Sequence, residues 1–243
     1  MKKLLVISAG LSDPSTTRML ADRIATAVEE RAREHQQAIE VEHVEIREYI
    51  NDLAQVMSTG MPTQKLRNLQ DQVSESDSMI AATPVFSASY SGVFKMFFDA
   101  LDPQAINGMP VIIAATAGTP RHSLALDYAM RPLFTYLHAT VMPTGVFAAT
   151  EDFGSSSGLT GRIRRAAAEL VTYLADDFDE LDGSGGHGND EAARQTSPRR
   201  VYGSAGTDIG PARSSGTNVD MNVPNFTDLL QGHDGNHKGK RDE

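Results

Sequence analysis

The chain has 243 residues, no cysteine and a formal charge of -10, with 22 Lys and Arg against 32 Asp and Glu. That balance argues against broad nucleic-acid binding, which needs basic residues to neutralise phosphates. The missing thiols rule out disulfides, thiolate catalysis and cysteine-held metal, so any redox work must come from a bound cofactor.

Lys2 and Lys3 precede Leu4-Leu5-Val6-Ile7, a continuous apolar run of the kind buried on both faces of a parallel sheet, which predicts the first strand. The run is too short for a signal-peptide core, and nothing approaches the roughly 18 apolar residues of a membrane span. A cytoplasmic protein with no membrane partner is the expectation. After Asp13-Pro14-Ser15, the apolar positions Met19, Leu20, Ile24, Ala27 and Val28 recur at helical spacing and predict a helix to about residue 37. Ile39, Val41, Val44 and Ile46 mark a second strand whose alternation slips by one residue between Val41 and Val44. Residues 47–76 read as one or two short helices, broken near Gly60-Met61-Pro62.

A third strand is predicted over 79–85, a helix over 91–101 and a fourth strand over 110–117. A helix over 124–138 carries Pro132, which should kink it. Residues 141–149 make a fifth strand, and Leu159, Ile163, Ala167, Leu170 and Leu174 form the stripe of a last helix. This alternation predicts the α/β class, a doubly wound five-stranded parallel sheet with helices on both faces. Within the helix over 91–101, Phe94, Met96, Phe97 and Phe98 read as core.

Eleven of the 20 glycines and only two aromatics fall after Leu181. The packed part is therefore one domain over 1–180, followed over 181–243 by a Gly-rich tail expected to be mostly disordered. Gly183-Ser184-Gly185-Gly186-His187-Gly188 formally matches GxGxxG, yet no strand precedes it and no apolar helix follows, so it reads as linker. A short motif at 223–230 stands out, because Phe226, Leu229 and Leu230 lie at i, i+3 and i+4. It can dock on its own chain, a sister subunit or a partner, or stay disordered.

In an open parallel sheet, ligands bind outside the carboxyl ends of the strands. Strand one leads into Ser8-Ala9-Gly10-Leu11-Ser12-Asp13-Pro14-Ser15-Thr16-Thr17, five hydroxyls in ten residues at a helix start. Free amides and the positive end of the helix dipole make such a start an anion site. Helix capping by Ser15 or Thr16 accounts for one or two hydroxyls, not five. With no GxxxxGK[ST] lysine to meet a triphosphate, the loop suits a single phosphate. Asp13 must then face solvent, since like charges repel.

Strand three runs into Thr83-Pro84-Val85-Phe86-Ser87-Ala88-Ser89-Tyr90-Ser91-Gly92, which offers a flat surface and free amides to a planar ring with polar edges. Strand four runs into Thr116-Ala117-Gly118-Thr119-Pro120-Arg121-His122-Ser123, where Gly118 lets the backbone approach a ligand closely. His122 reads either as a cap, as a solvated side chain or as a ligand contact. Tyr90 reads as core or as a second face of the pocket.

TPVFSASYSGVFKMFFDAL, SAGLSDPSTTR and HSLALDYAMRPL each resemble the matching segment of the NADPH-dependent FMN reductases, over roughly residues 3–174. The resemblance implies a flavodoxin-like strand order 2-1-3-4-5. It implies FMN held by Ser8, Leu11, Ser15, Thr16 and Thr17 at its phosphate, by Pro84, Val85, Phe86 and Ser89 at its ring, and by Thr116, Ala117, Gly118 and His122 at its pyrimidine edge. Two departures stand out: Ala117 replaces the first of two expected glycines, and Phe86 takes a place where many relatives carry tyrosine.

The implied activity is hydride transfer from NADPH to FMN, with no catalytic side chain and no metal, and with reduced flavin supplied to a flavin-dependent monooxygenase. A homo-oligomer, dimer or tetramer, is implied as well. The same site also suits an FMN-retaining reductase of quinones, azo dyes or metal oxyanions. A non-enzymatic electron carrier or interaction module is the alternative of another class.

Overall fold

The structure is a computed structural model that describes residues 1–154 and 157–181. The Gly-rich tail and its 223–230 motif lie outside the described residues. Its elements follow in chain order as β1 (Lys2–Ser8), α1 (Thr16–Glu34), β2 (Ile39–Glu45), α2 (Ile50–Thr59), α3 (Gln64–Glu75) and β3 (Ser78–Phe86). Then come β4 (Ser89–Tyr90), α4 (Gly92–Asp99), β5 (Pro110–Ala117), α5 (Arg131–Tyr136), β6 (Thr140–Val141), β7 (Val146–Ala149) and α6 (Ser157–Leu181).

The central sheet runs β2-β1-β3-β5, and β6 and β7 both pair with β5 in parallel. Counting β6 and β7 as one broken strand, this is the flavodoxin order 2-1-3-4-5. The alternation of β1 explains why both faces are covered. Leu5 and Ile7 enter a core with Leu53, Leu66, Phe94, Phe98 and Phe134, on the side of α2 to α5. Leu4 and Val6 enter a second core with Leu20, Ile24, Val28, Ile163 and Leu170, on the side of α1 and α6. Phe94, Phe97, Phe98 and Phe134 pack edge to face or tilted, at ring separations of 4.7 to 6.3 Å. Met96 packs at the margin of the same core, as the sequence predicted.

Four expectations need correction. The fifth strand, predicted unbroken over 141–149, is interrupted between β6 and β7. Pro143 has no amide to donate to a neighbouring strand. The gap is pinned from both sides: Arg131 donates to the carbonyls of Met142 and Pro143, and Glu169 accepts from the amide and hydroxyl of Thr144.

The helix that carries Pro132 is not a plain α-helix: a π-helical turn over Leu126–Met130 precedes the proline, and the helical backbone runs on through Met130 and Arg131 into α5. The slip read in β2 is present: pairing with β1 runs unbroken from Lys2 with Ile39 to Ser8 with Glu45, so Ile39 and Val41 pack on the side of α1 and α6 while Val44 enters the opposite core. The last apolar position of the set is the one that departs from expectation. Ile46 has left the strand, and it buries its side chain from a 3-10 turn over Ile46–Tyr49. Finally, the connection after β3 is a β-hairpin, in which Val85 faces Tyr90 and Phe86 faces Ser89. Its two turn residues, Ser87 (φ 48) and Ala88 (φ 67), take the left-handed conformation that a two-residue hairpin demands, and neither is glycine.

The break near Gly60 is as predicted. Gly60 closes α2 at φ 71, where any side chain would be strained, and Thr63 then caps α3 by accepting from the amide of Leu66.

Candidate functional site

The loops after β1, β3 and β5 meet at one edge of the sheet, as parallel topology requires, and enclose a cavity of about 380 Å³. The first loop contributes Gly10, Leu11, Ser12, Thr16 and Thr17, the second Pro84, Val85 and Phe86, and the third Thr116, Ala117 and Gly118. Nine of the thirteen residues expected from the sequence therefore line it: Leu11, Thr16, Thr17, Pro84, Val85, Phe86, Thr116, Ala117 and Gly118.

The other four do not line it. Ser8 is buried at the end of β1, with a hydroxyl that has no partner among the described residues. Ser15 is spent as the cap of α1, its Oγ accepting from the amide of Arg18 at 3.1 Å. Ser89 lies across the hairpin from Phe86. His122 is exposed in a 3-10 turn over Pro120–His122, outside the cavity. Tyr90 packs against the core, its ring tilted by 35° to that of Phe94 at 5.7 Å.

Close packing fixes the first loop. A Cβ placed on Gly10 would come within 1.9 Å of Ser15 Oγ, so the loop folds onto its own helix cap only because that residue is glycine. Arg47 braces it from the 3-10 turn after β2, donating to the carbonyl of Ser12 at 3.3 Å while pairing with Glu45 at 2.8 Å. Arg18 reaches the same Glu45 at 3.0 Å. Asp13 points outward with its side chain 83% exposed, as an anion site requires. The first turn of α1 holds no acidic residue, so the positive end of the helix dipole faces the cavity uncompensated.

The second and third loops supply different surfaces. Phe86 is 50% exposed at the rim, an apolar face open to a ligand. Nothing lies within 4 Å of a Cβ built on Gly118, so the backbone there borders open space. Thr17 Oγ1 and Thr116 Oγ1 stand 2.7 Å apart and join the first loop to the third.

Four lining residues were not among those thirteen: Gly10 and Ser12, which lie in the first loop, and Thr150 and Phe153, from the 3-10 turn over Thr150–Phe153 after β7. Asp152 holds that turn by accepting from the amide of Ala149 at 2.8 Å. The rule that sites gather at strand carboxyl ends applies equally to β7 and would have found Thr150 and Phe153.

This donor set fits a phosphate-bearing planar cofactor: hydroxyls and amides at a helix start, an apolar aromatic lip and exposed backbone opposite. Ser8, a buried hydroxyl with no partner among the described residues, ends the strand that leads into the hydroxyl-rich loop. Among the described residues, no helix is long and apolar enough to cross a membrane.

The chain is similar to known proteins in the same terms. An FMN reductase (NADPH) of Pseudomonas aeruginosa is 32% identical over 169 residues, covering 68% of this chain and 88% of that protein. An NADH-dependent FMN reductase of Pseudomonas fluorescens is 34% identical over 174 residues, covering 68% and 88%. The crystal structure of an oxidoreductase of Corynebacterium diphtheriae superposes with a TM-score of 0.70 at 53% identity, covering 72% of this chain and 98% of that one. A family model described as NADPH-dependent FMN reductase matches residues 2–154, a span that holds all three loops and Phe153. By that match the chain belongs to the NADPH-dependent FMN reductase family.

Proposed function

We propose that the protein reduces FMN with NAD(P)H. The observation that carries this is the convergence, in one cavity, of a hydroxyl-rich helix start without acidic residues and a half-exposed aromatic lip. The chemistry that bound FMN supplies is acceptance at N5 of a hydride from the nicotinamide C4.

The protein's part is to hold and orient. Ser12, Thr16 and Thr17 offer hydroxyls, and the start of α1 offers amides, to the phosphate. Pro84, Val85 and Phe86 offer one face to the ring, and the backbone at Ala117 and Gly118 offers donors to its polar edge. Ser15, buried as the cap, holds the loop's shape rather than the ligand, and Ser8 ends the strand that leads into it. Ser89 and His122 act at most at the rim. None of these residues has to act as nucleophile or general base.

The cavity is open on the side of Leu11 and Phe86, both exposed. An open rim suits a flavin that enters oxidised and leaves reduced, and a flavin-dependent monooxygenase is the partner that consumes it. Leu124 and Tyr128, exposed and one helical turn apart, offer an apolar surface suited to a second copy in a homo-oligomer. The cytoplasm, which supplies NAD(P)H, is the location that fits. The domain is assigned to residues 1–180, so cutting the chain after Leu181 leaves reduction of free FMN unchanged.

Steady-state oxidation of NADPH and NADH with FMN, FAD, a quinone and an azo dye, side by side, tests the reading. FMN should sustain the fastest turnover. Faster turnover with a quinone or azo dye, with FMN retained through gel filtration, would assign the site to an FMN-retaining reductase. No oxidation with any acceptor would leave an electron carrier.

A further inference from the structure

A second cavity, of about 510 Å³, lies between α1 and α6, and Phe153 lines it as well as the first. Its volume falls in the range of small-molecule sites. Both cavities also border α1, the first at its start and the second from Asp22 onward. Thr16, Met19, Arg23, Ala27 and Glu30 follow one another at three or four residues and so form a single stripe along that helix. The stripe starts in the phosphate loop, passes the exposed Met19 and enters the second cavity at Arg23. Thr16 and Arg23 are seven helical steps apart, a rise of about 10 Å. That distance suits the pyrophosphate and ribose of a nucleotide.

The groove combines cations, carboxylates, hydroxyls and an apolar floor. Arg23 and Arg164 bring cations from α1 and α6, and the Arg23 guanidinium carbon lies 5.3 Å from the centre of the Phe153 ring. Two of the three carboxylates are engaged elsewhere. Asp22 faces Arg18 Nε at 2.7 Å and His43 Nδ1 at 3.2 Å, and Asp152 accepts from the amide of Ala149. The third, Glu30, stands exposed at the far end, where it can accept from an exocyclic amine. Ala27, Leu159 and Ile163 form an apolar floor for a ring, flanked by the hydroxyls of Thr26 and Thr160.

We propose that this groove receives the adenylate half of FAD, with the flavin half in the first cavity, so that the protein accepts the dinucleotide flavin as well as FMN. The proposal rests on the flavin reading of the first cavity. It assigns Arg23 and Arg164 to the phosphate on the adenosine side, Phe153 to the junction and Glu30 to the adenine amine.

The test is the affinity of the full chain for FMN and for FAD, followed by quenching of flavin fluorescence. Two variants probe the groove: Arg23→Gln combined with Arg164→Glu, and Thr160→Trp, which fills it from an exposed helix position. Both should weaken FAD binding on the order of tenfold or more, about 1.4 kcal/mol, and leave FMN binding within about twofold. Retained FMN affinity also reports that the variants fold. Equal changes for the two flavins, no change for FAD, or failure of the wild type to bind FAD while it binds FMN would each overturn the groove assignment alone. A loss of NADPH affinity in place of FAD affinity would assign the groove to the nicotinamide nucleotide and overturn it too. If the wild type bound neither flavin, the reading of the first cavity would fall and the groove assignment with it.

Discussion

Thr17 and Thr116, 99 residues apart in the chain, meet hydroxyl to hydroxyl at 2.7 Å, and both are buried. The bond ties the start of α1 to the carboxyl end of β5, so the loop assigned to the phosphate and the loop assigned to the ring edge are held in fixed register. Replacing Thr116 by valine keeps its shape and removes the bond. A neutral hydrogen bond of this kind contributes about 1 kcal/mol, so FMN affinity should fall roughly fivefold with little change in melting temperature. A drop in melting temperature with unchanged FMN affinity would make the pair a purely structural brace.

The hydroxyls of the first loop divide by role. Thr16→Ala with Ser12→Ala should weaken FMN binding and barely change riboflavin binding, because riboflavin lacks the phosphate. Each charge-assisted bond lost should cost on the order of 1.5 to 3 kcal/mol. Ser15→Ala, by contrast, removes the cap of α1 and should lower stability by about 0.5 to 2 kcal/mol. Titration of each variant with both flavins, beside thermal melts, separates the two effects; parallel loss of both flavins in the first variant would argue against the phosphate assignment.

The sequence made much of this legible, and the limits of that reading are physical. Two-sided burial left continuous apolar runs in β1, β3 and β5, so the sheet core and its three loops could be placed from Leu4 to Ile7, Ile80 and Ile112. The fifth strand was misjudged because Val141 and Val146 share the same apolar signal while Pro143 between them silently breaks the ladder. Among the hydroxyls, composition could not separate Ser15 from Thr16: which one turns inward as the cap depends on its extended backbone, φ -103 and ψ 119, and not on its chemistry. Phe153 was missed because a single aromatic after a short strand looks like packing until the fold brings β7 beside β5.

Aromatic residues should divide in the same way as the hydroxyls. Phe86→Ala at the half-exposed rim should reduce flavin-dependent turnover and leave the melting temperature near that of the wild type. Phe97→Ala, fully buried in the core, should cost roughly 3 to 5 kcal/mol of stability. Equal losses of stability, with no flavin defect in Phe86→Ala, would assign both rings to packing.

Acid should weaken the fold partly through His43. Burial, and then the charge of Arg18, hold its pKa below the ordinary value of 6.5. The unfolded chain therefore takes up the proton first as pH falls. The His43 contribution is whole above about pH 6.5, declines as pH drops through that value and levels off below the folded-state pKa. His43→Gln should lose less stability than the wild type between about pH 7.5 and pH 5. Identical pH slopes for the two proteins would exclude His43 as a contributor.

Anaerobic mixing of the full-length protein, at catalytic amounts, with excess FMN and NADPH or NADH tests the central claim most directly. Bleaching of the flavin's visible absorbance should run to completion over many turnovers and slow sharply in Thr16→Ala with Ser12→Ala. Tight FMN binding with no bleaching by either nicotinamide nucleotide would contradict the account.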